Sequence, residues 1–218
     1  RTPLTRLHGS AEIARQTSED VQSLRDALVD CMEETERVTT MLTTLMDISE
    51  AQAGSMKLKK TELDLAKMVR GLSEMYELVA EEKGIAVQLD LPASLEINAD
   101  SVRLQQVIGN LLDNAIKYSP ENSEVFLRLF QDESGEAVFS VQDQGIGIAK
   151  EDLSRIWDRL YRADKSRTQR GLGLGLSFVR AIVEAHDGSV WVESEPGKGS
   201  TFYARFPKNH GTDGKRSP

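Results

Sequence analysis

From Val21 to Leu45 one row of positions runs three and four residues apart without a break: Val21, Leu24, Leu28, Cys31, Thr35, Val38, Leu42 and Leu45. A largely apolar repeat sustained over more than three heptads commits this stretch to a long helix whose seam must be buried against other helices. Upstream, Leu4, Leu7, Ala11 and Ala14 repeat the spacing over a shorter length. Thr17 or Ser18 is placed to cap the second helix, with Glu19 and Asp20 favourable in its first turn. One hairpin covers only part of such a stripe, and Met32, Met41 and Ile48 widen it. A second copy would complete a four-helix bundle, so a homodimer is expected. Cys31 reads as seam filling, and as the single cysteine it has no internal disulfide partner.

Beyond the seam the pattern changes. Residues 53–61 have no period and are rich in lysine, which reads as a linker that permits domain motion. After it, Glu62–Leu65, Ile85–Leu91 and Leu95–Asn98 read as strands, and residues 66–82 and 102–118 as helices. Residues 124–130 and 137–141 alternate around Glu133-Ser-Gly-Glu136, as a hairpin does. A helix over 174–185 and two strands around Glu195-Pro-Gly-Lys198 follow. His186, before Asp187-Gly188, reads as part of a helix C-cap. The expected division is 1–52 helical hairpin, 53–61 linker, 62–208 α/β domain and 209–218 flexible tail. The fold class is thus α+β, a hairpin forming a dimeric four-helix bundle followed by an α/β sandwich. A net charge of −8 argues against a nucleic-acid partner, and no apolar run approaches the length of a membrane span.

The chemistry starts in Leu104–Pro120. Leu104, Val107, Ile108, Leu111 and Ala115 make one apolar helix face, and Asn110, Asn114 and Lys117 line up beside it. An Asn carbonyl oxygen is a hard ligand suited to Mg²⁺, and a lysine meets phosphate as a point charge. A solvated helix face has the same pattern, and this stretch alone does not decide. Downstream lie Asp143-Gln-Gly-Ile-Gly147, Gly171-Leu-Gly-Leu-Gly-Leu176 and Gly197-Lys-Gly-Ser-Thr-Phe202. Asp143 before two glycines is either a turn or a carboxylate with a flat ligand close to the backbone. Gly171, Gly173 and Gly175 open a helix, where free N–H groups favour phosphate. This is neither a P-loop nor a dinucleotide fingerprint.

In this order the motifs resemble the asparagine box and glycine boxes of sensor histidine kinases, within the GHKL group of ATPases. Arg1-Thr-Pro-Leu-Thr5 is similar to the end of that family's phosphoacceptor box, His-Glu-Leu-Arg-Thr-Pro-Leu, so the acceptor histidine is expected just upstream of Arg1. His8 does not match it and reads as a partly exposed helical residue. Residues 156–170 resemble the F box and ATP lid, with Trp157 and Leu160 where phenylalanines are common.

The resemblance implies a cytoplasmic kinase core with cofactors ATP and Mg²⁺, which phosphorylates that histidine and then an aspartate of a response-regulator receiver domain. It implies Asn110 as a catalytic residue supporting the phosphates, Asn114 as the metal ligand, Lys117 as phosphate charge and Asp143 as the adenine acceptor. Gly145, Gly147, Gly171, Gly173, Leu174, Gly175, Leu176 and Thr201 belong to the nucleotide-binding boxes by the same resemblance. Tyr118 reads as pocket wall or core aromatic, and Arg167, Arg170 and Lys165 as lid cations or a solvated basic loop. Thr2 matches the position whose hydroxyl orients water for dephosphorylating a partner, or is a plain helix-face residue. The parent is expected to be anchored in the bacterial inner membrane by segments upstream. Alternatives are another GHKL-type ATPase and a non-catalytic module that docks a regulator.

Overall fold

The computed structural model describes residues 2–16, 21–163 and 172–207. The sequence readings at 17–20, at Lys165, Arg167, Arg170 and Gly171, and over the 209–218 tail lie outside them. The chain divides into two compact units, 1–47 and 48–218.

In the first unit α1 (Thr2–Gln16) and α2 (Val21–Gln52, which runs into the second unit) are both helical. The Cys31 thiol donates to the Leu7 carbonyl at 3.8 Å and so links the two helices. The heptad row splits by exposure. Leu24, Cys31, Val38 and Leu45, seven apart, are half-buried, whereas Val21, Leu28, Thr35 and Leu42, also seven apart, are exposed. Leu28 is 51% exposed and Met32 72%. An apolar row in water on a regular helix is a surface built to be covered.

The second unit is a sheet under helices. Its order is β2 (Ala86–Asp90), β4 (Glu124–Gln131), β5 (Ala137–Asp143), β7 (Gly199–Phe206) and β6 (Ser189–Glu195). Only β2 and β4 are parallel. A separate antiparallel ribbon pairs β1 (Thr61–Asp64) with β3 (Glu96–Ala99). Helices α3 (Leu65–Glu81), α4 (Ser101–Tyr118) and α5 (Gly175–Ala185) complete the unit. One sheet face carries Val125, Leu127, Leu129, Phe139, Val141, Phe202 and Ala204, all buried. The other carries Phe126 and Arg128, both exposed, and the stacked Trp191–Tyr203 pair, 4.7 Å between centroids. Helices therefore cover one face only.

The α4 face read from the sequence is the core of this layer. Leu104, Val107, Ile108, Leu111, Leu112 and Ile116 are all buried, each contributing about 1.5–3 kcal/mol relative to exposure. Two boundaries differ from the sequence expectation, for one reason. Asp64 and Asp100 are N-caps whose Oδ1 atoms each accept two first-turn N–H groups. So α3 starts at Leu65, a residue assigned above to the strand, and α4 starts at Ser101.

Candidate functional site

The nucleotide-type motifs meet through a chain of close contacts. On α4, the Asn110 side-chain amide donates to the Gln106 carbonyl at 2.8 Å, which leaves its Oδ1 directed at the start of α5. A Cβ built on Gly175 would lie 2.8 Å from that oxygen and 3.8 Å from the Asn114 side-chain nitrogen. Both asparagines are half-buried and flank the N-terminus of α5. Aspartates cap α3 and α4, but Leu174 occupies the cap position of α5, and among the described residues no side chain caps its first turn. The first N–H groups of α5 are thus available to an anion beside two carboxamides.

At the other end of α4, Gly145 packs on the Tyr118 carbonyl. A Cβ there would lie 2.5 Å from that oxygen and 2.8 Å from Asp143 Oδ1, so only glycine fits. Asp143 is 5% exposed at the end of β5. Its Oδ1 accepts from the Gly145 N–H at 2.8 Å and the Ser200 N–H at 3.2 Å. Oδ2 has no hydrogen-bond partner among the described residues. Burial pushes the Asp143 carboxyl above the usual carboxylate range, against the two N–H bonds that lower it. Gly147, at φ 64°, passes so close to the Glu195 carbonyl that a Cβ would overlap it. Gly173, at φ 71°, packs on the Leu160–Tyr161 backbone, and the Leu160 N–H donates to the Gly173 carbonyl at 2.9 Å. The backbone at 160–161 and at 173 is thereby held together. Trp157 meets Phe202 edge to face at 6.2 Å, so it packs on the sheet core.

The structure brings Asn110, Asn114, Tyr118, Asp143, Gly145 and Gly175 into one contiguous set. Leu174 is buried behind them and Leu176 half-buried in the first turn of α5. The Lys117 ammonium lies 5.0 Å over the Tyr118 ring. Thr201 is not part of the set. Gln142 pairs with Thr201 and Asp143 with Ser200, so side-chain alternation puts Thr201 on the opposite sheet face. The residue beside Asp143 is Ser200, which is buried and shares its hydroxyl with Ser194 at 2.9 Å. Sequence reasoning also missed Lys83. Its ammonium donates to the carbonyls of Ile116, Lys117 and Ser119 at 2.8, 3.2 and 3.3 Å and so holds the C-terminal end of α4. Thr2 lies in α1 of the first unit.

Residues 99–210 match the family described as histidine kinase-, DNA gyrase B-, and HSP90-like ATPase. The sensor histidine kinase WalK of Bacillus subtilis is 31% identical over 211 residues, 95% of this chain and 34% of its own length. The autoinducer 2 sensor kinase/phosphatase LuxQ of Vibrio vulnificus is 32% identical over 219 residues, 97% of this chain and 25% of its own. The chain thus spans about a third of the length of the first relative and a quarter of the second. Full-length ShkA, solved in complex with AMPPNP, superposes with a TM-score of 0.73 at 27% identity, over 95% of this chain and 43% of ShkA. The Acinetobacter baumannii histidine kinase AdeS shares the fold over 96% of each chain, with a TM-score of 0.76 at 24% identity. The chain belongs to the sensor histidine kinases, with the ATPase-type α/β fold of the wider family.

Proposed function

We propose that this chain is the catalytic core of a sensor histidine kinase that binds ATP as substrate between α4 and α5. The observation that carries this is the uncapped N-terminus of α5 set against Asn110 and Asn114. Phosphates would take the free N–H groups of α5, and Asp143 Oδ2 would accept from the exocyclic amine of adenine. Ser200, whose N–H donates to Asp143 Oδ1, would take the nucleotide-side role expected above of Thr201.

Mg²⁺ keeps waters and substrate phosphates as ligands and needs only one or two protein oxygens, and the carboxamide oxygen of a half-buried asparagine beside α5 is a donor of that hard kind. Asn114 would hold it and Asn110 would support the phosphates, with Lys117 and the lid cations Arg167 and Arg170 adding positive charge. A bound Mg²⁺ would supply neutralisation of phosphate charge. Otherwise the protein contributes position: the bond from the γ phosphorus to the bridging oxygen breaks and a bond to an imidazole nitrogen forms, with ADP leaving.

The acceptor is the histidine expected ahead of Arg1, and an aspartate of a response regulator receives the phosphoryl next. The exposed heptad row of α2 supports a homodimeric four-helix bundle. Thr2, and the kinase/phosphatase relative, support phosphatase activity toward that regulator. No described helix is long and apolar enough to cross a membrane, and we place this region on the cytoplasmic side of a membrane-anchored parent.

Asn114→Ala tests the site. Calorimetric titration with ATP should show strong Mg²⁺ dependence in the wild type and little in the mutant. Equal Mg²⁺ dependence in both would refute the assignment of Asn114.

A further inference from the structure

Among the described residues the most buried titratable side chain outside this site is His186, 2% exposed at the C-terminal end of α5. Its Nδ1–H donates to the Ile182 carbonyl at 2.8 Å, which leaves Nε2 as an acceptor. The Asp100 N–H donates to Nε2 at 3.0 Å. Asp100 is the N-cap of α4, so the imidazole joins the last turn of α5 to the first turn of α4. Phe206 of β7 closes the pocket edge to face at 6.3 Å.

The same junction holds residues 59 and 60. The Lys59 N–H donates to Asp100 Oδ2 at 2.8 Å, and the Lys60 ammonium pairs with Asp187 at 3.0 Å. Helices α4 and α5 run antiparallel, with contacts at both ends: His186 on Asp100 at one, Gly175 on Asn110 at the other. Asn110 lies ten residues after Asp100, and Gly175 eleven before His186. At about 1.5 Å per residue the two spans match at roughly 15 Å. The lower contact therefore fixes which part of α5 stands opposite the asparagines.

We propose that His186 is a positioning residue that sets the register of α4 against α5 through the Asp100 cap and so places Asn110 and Asn114 at the start of α5. The role toward ATP rests on the site assigned above. The charged groups facing the ring are Asp100 on the cap of α4, Asp187 beside it and Lys60, and β7 presents the Phe206 ring. Burial holds the imidazole below its usual range, opposed by the Ile182 carbonyl and aided by Lys60. A proton on Nε2 would remove the acceptor for Asp100. The stability contributed by neutral His186 is thus complete above the ordinary value of 6.5 and is lost as pH falls through the lowered folded value.

The test uses His186→Phe, which keeps bulk but removes the acceptor, and His186→Gln, which offers an uncharged acceptor near the position of Nε2. ATP affinity and amide hydrogen exchange are measured on the full chain. His186→Phe should weaken ATP about tenfold, a shift of about 1.4 kcal/mol, and speed exchange at residues 110–114 and 175–178, the far end of both helices. His186→Gln should restore both. Wild-type affinity should fall toward acid pH, and the His186→Gln curve should fall less steeply. Exchange changes confined to residues 99–103 and 182–188, with ATP affinity unchanged, would overturn the proposal. Should His186→Phe not fold, parallel pH curves for wild type and His186→Gln would overturn it equally. If far-end exchange responds but the wild type binds no ATP, the register role stands and the ATP assignment falls.

Discussion

The sharpest separation of binding from folding is expected at Gly175. Alanine there would put a Cβ 2.8 Å from Asn110 Oδ1, inside the 3.4 Å of ordinary contact. The clash is with the end of a flexible side chain, so the side chain yields and the backbone stays. Yielding breaks the Asn110 bond to the Gln106 carbonyl, which costs about 0.5–1.5 kcal/mol. Replacing glycine by alanine in a helix returns about 0.5–1 kcal/mol. The two nearly cancel, so stability should stay within about 1 kcal/mol of wild type.

Affinity does not share that cancellation. An Asn110 side chain turned away from α5 would no longer reach the magnesium-bound end of ATP, and losing one contact to a charged group costs about 1.5–3 kcal/mol, or roughly tenfold to a hundredfold in Kd. Denaturant unfolding and ATP calorimetry on the same preparation measure both quantities. Wild-type affinity in Gly175→Ala would refute the placement of ATP against Asn110. A loss of several kcal/mol in stability would refute the claim that the clash is absorbed by one side chain.

Two further outcomes follow from the geometry. In Asp143→Asn, Oδ1 keeps the two N–H bonds, so Nδ2 replaces the free acceptor and faces adenine with a donor; ATP should weaken by about tenfold to a hundredfold in calorimetry. Because burial raises the Asp143 pKa, the folded chain binds its proton more tightly than the unfolded chain. The destabilisation therefore appears as pH rises from 3.8 through the raised value and persists above it, so thermal melts should show Asp143→Asn gaining stability near neutral pH and losing that gain in acid. Leu28→Glu places a charge in the exposed heptad row and should shift light-scattering mass from dimer to monomer, leaving ATP affinity unchanged.

Much of the scaffold was legible because its signals are local. Periodicity gave α4 and its buried face, alternation gave β4 and β5, and the glycines marked places where backbones touch. What was not legible depends on pairing across the chain. Whether Ser200 or Thr201 stands beside Asp143 is decided by the register of β7 on β5, and a shift of one residue exchanges the sheet faces. Lys83 holds the end of a helix more than thirty residues away, which no local pattern encodes. His186 sits at a helix end, as read from Asp187-Gly188, yet the group its Nε2 accepts from is 86 residues upstream. The caps Asp64 and Asp100 were available signals, each an aspartate just ahead of a helical period.

Phosphoryl transfer from ATP to a histidine is read by labelling from γ-labelled MgATP, on this chain and on one carrying His-Glu-Leu ahead of Arg1. Acid-labile, base-stable label is expected on the extended chain alone. Equal label on both would move the acceptor to another residue such as His8, and ATP bound with no label on either would contradict the kinase assignment.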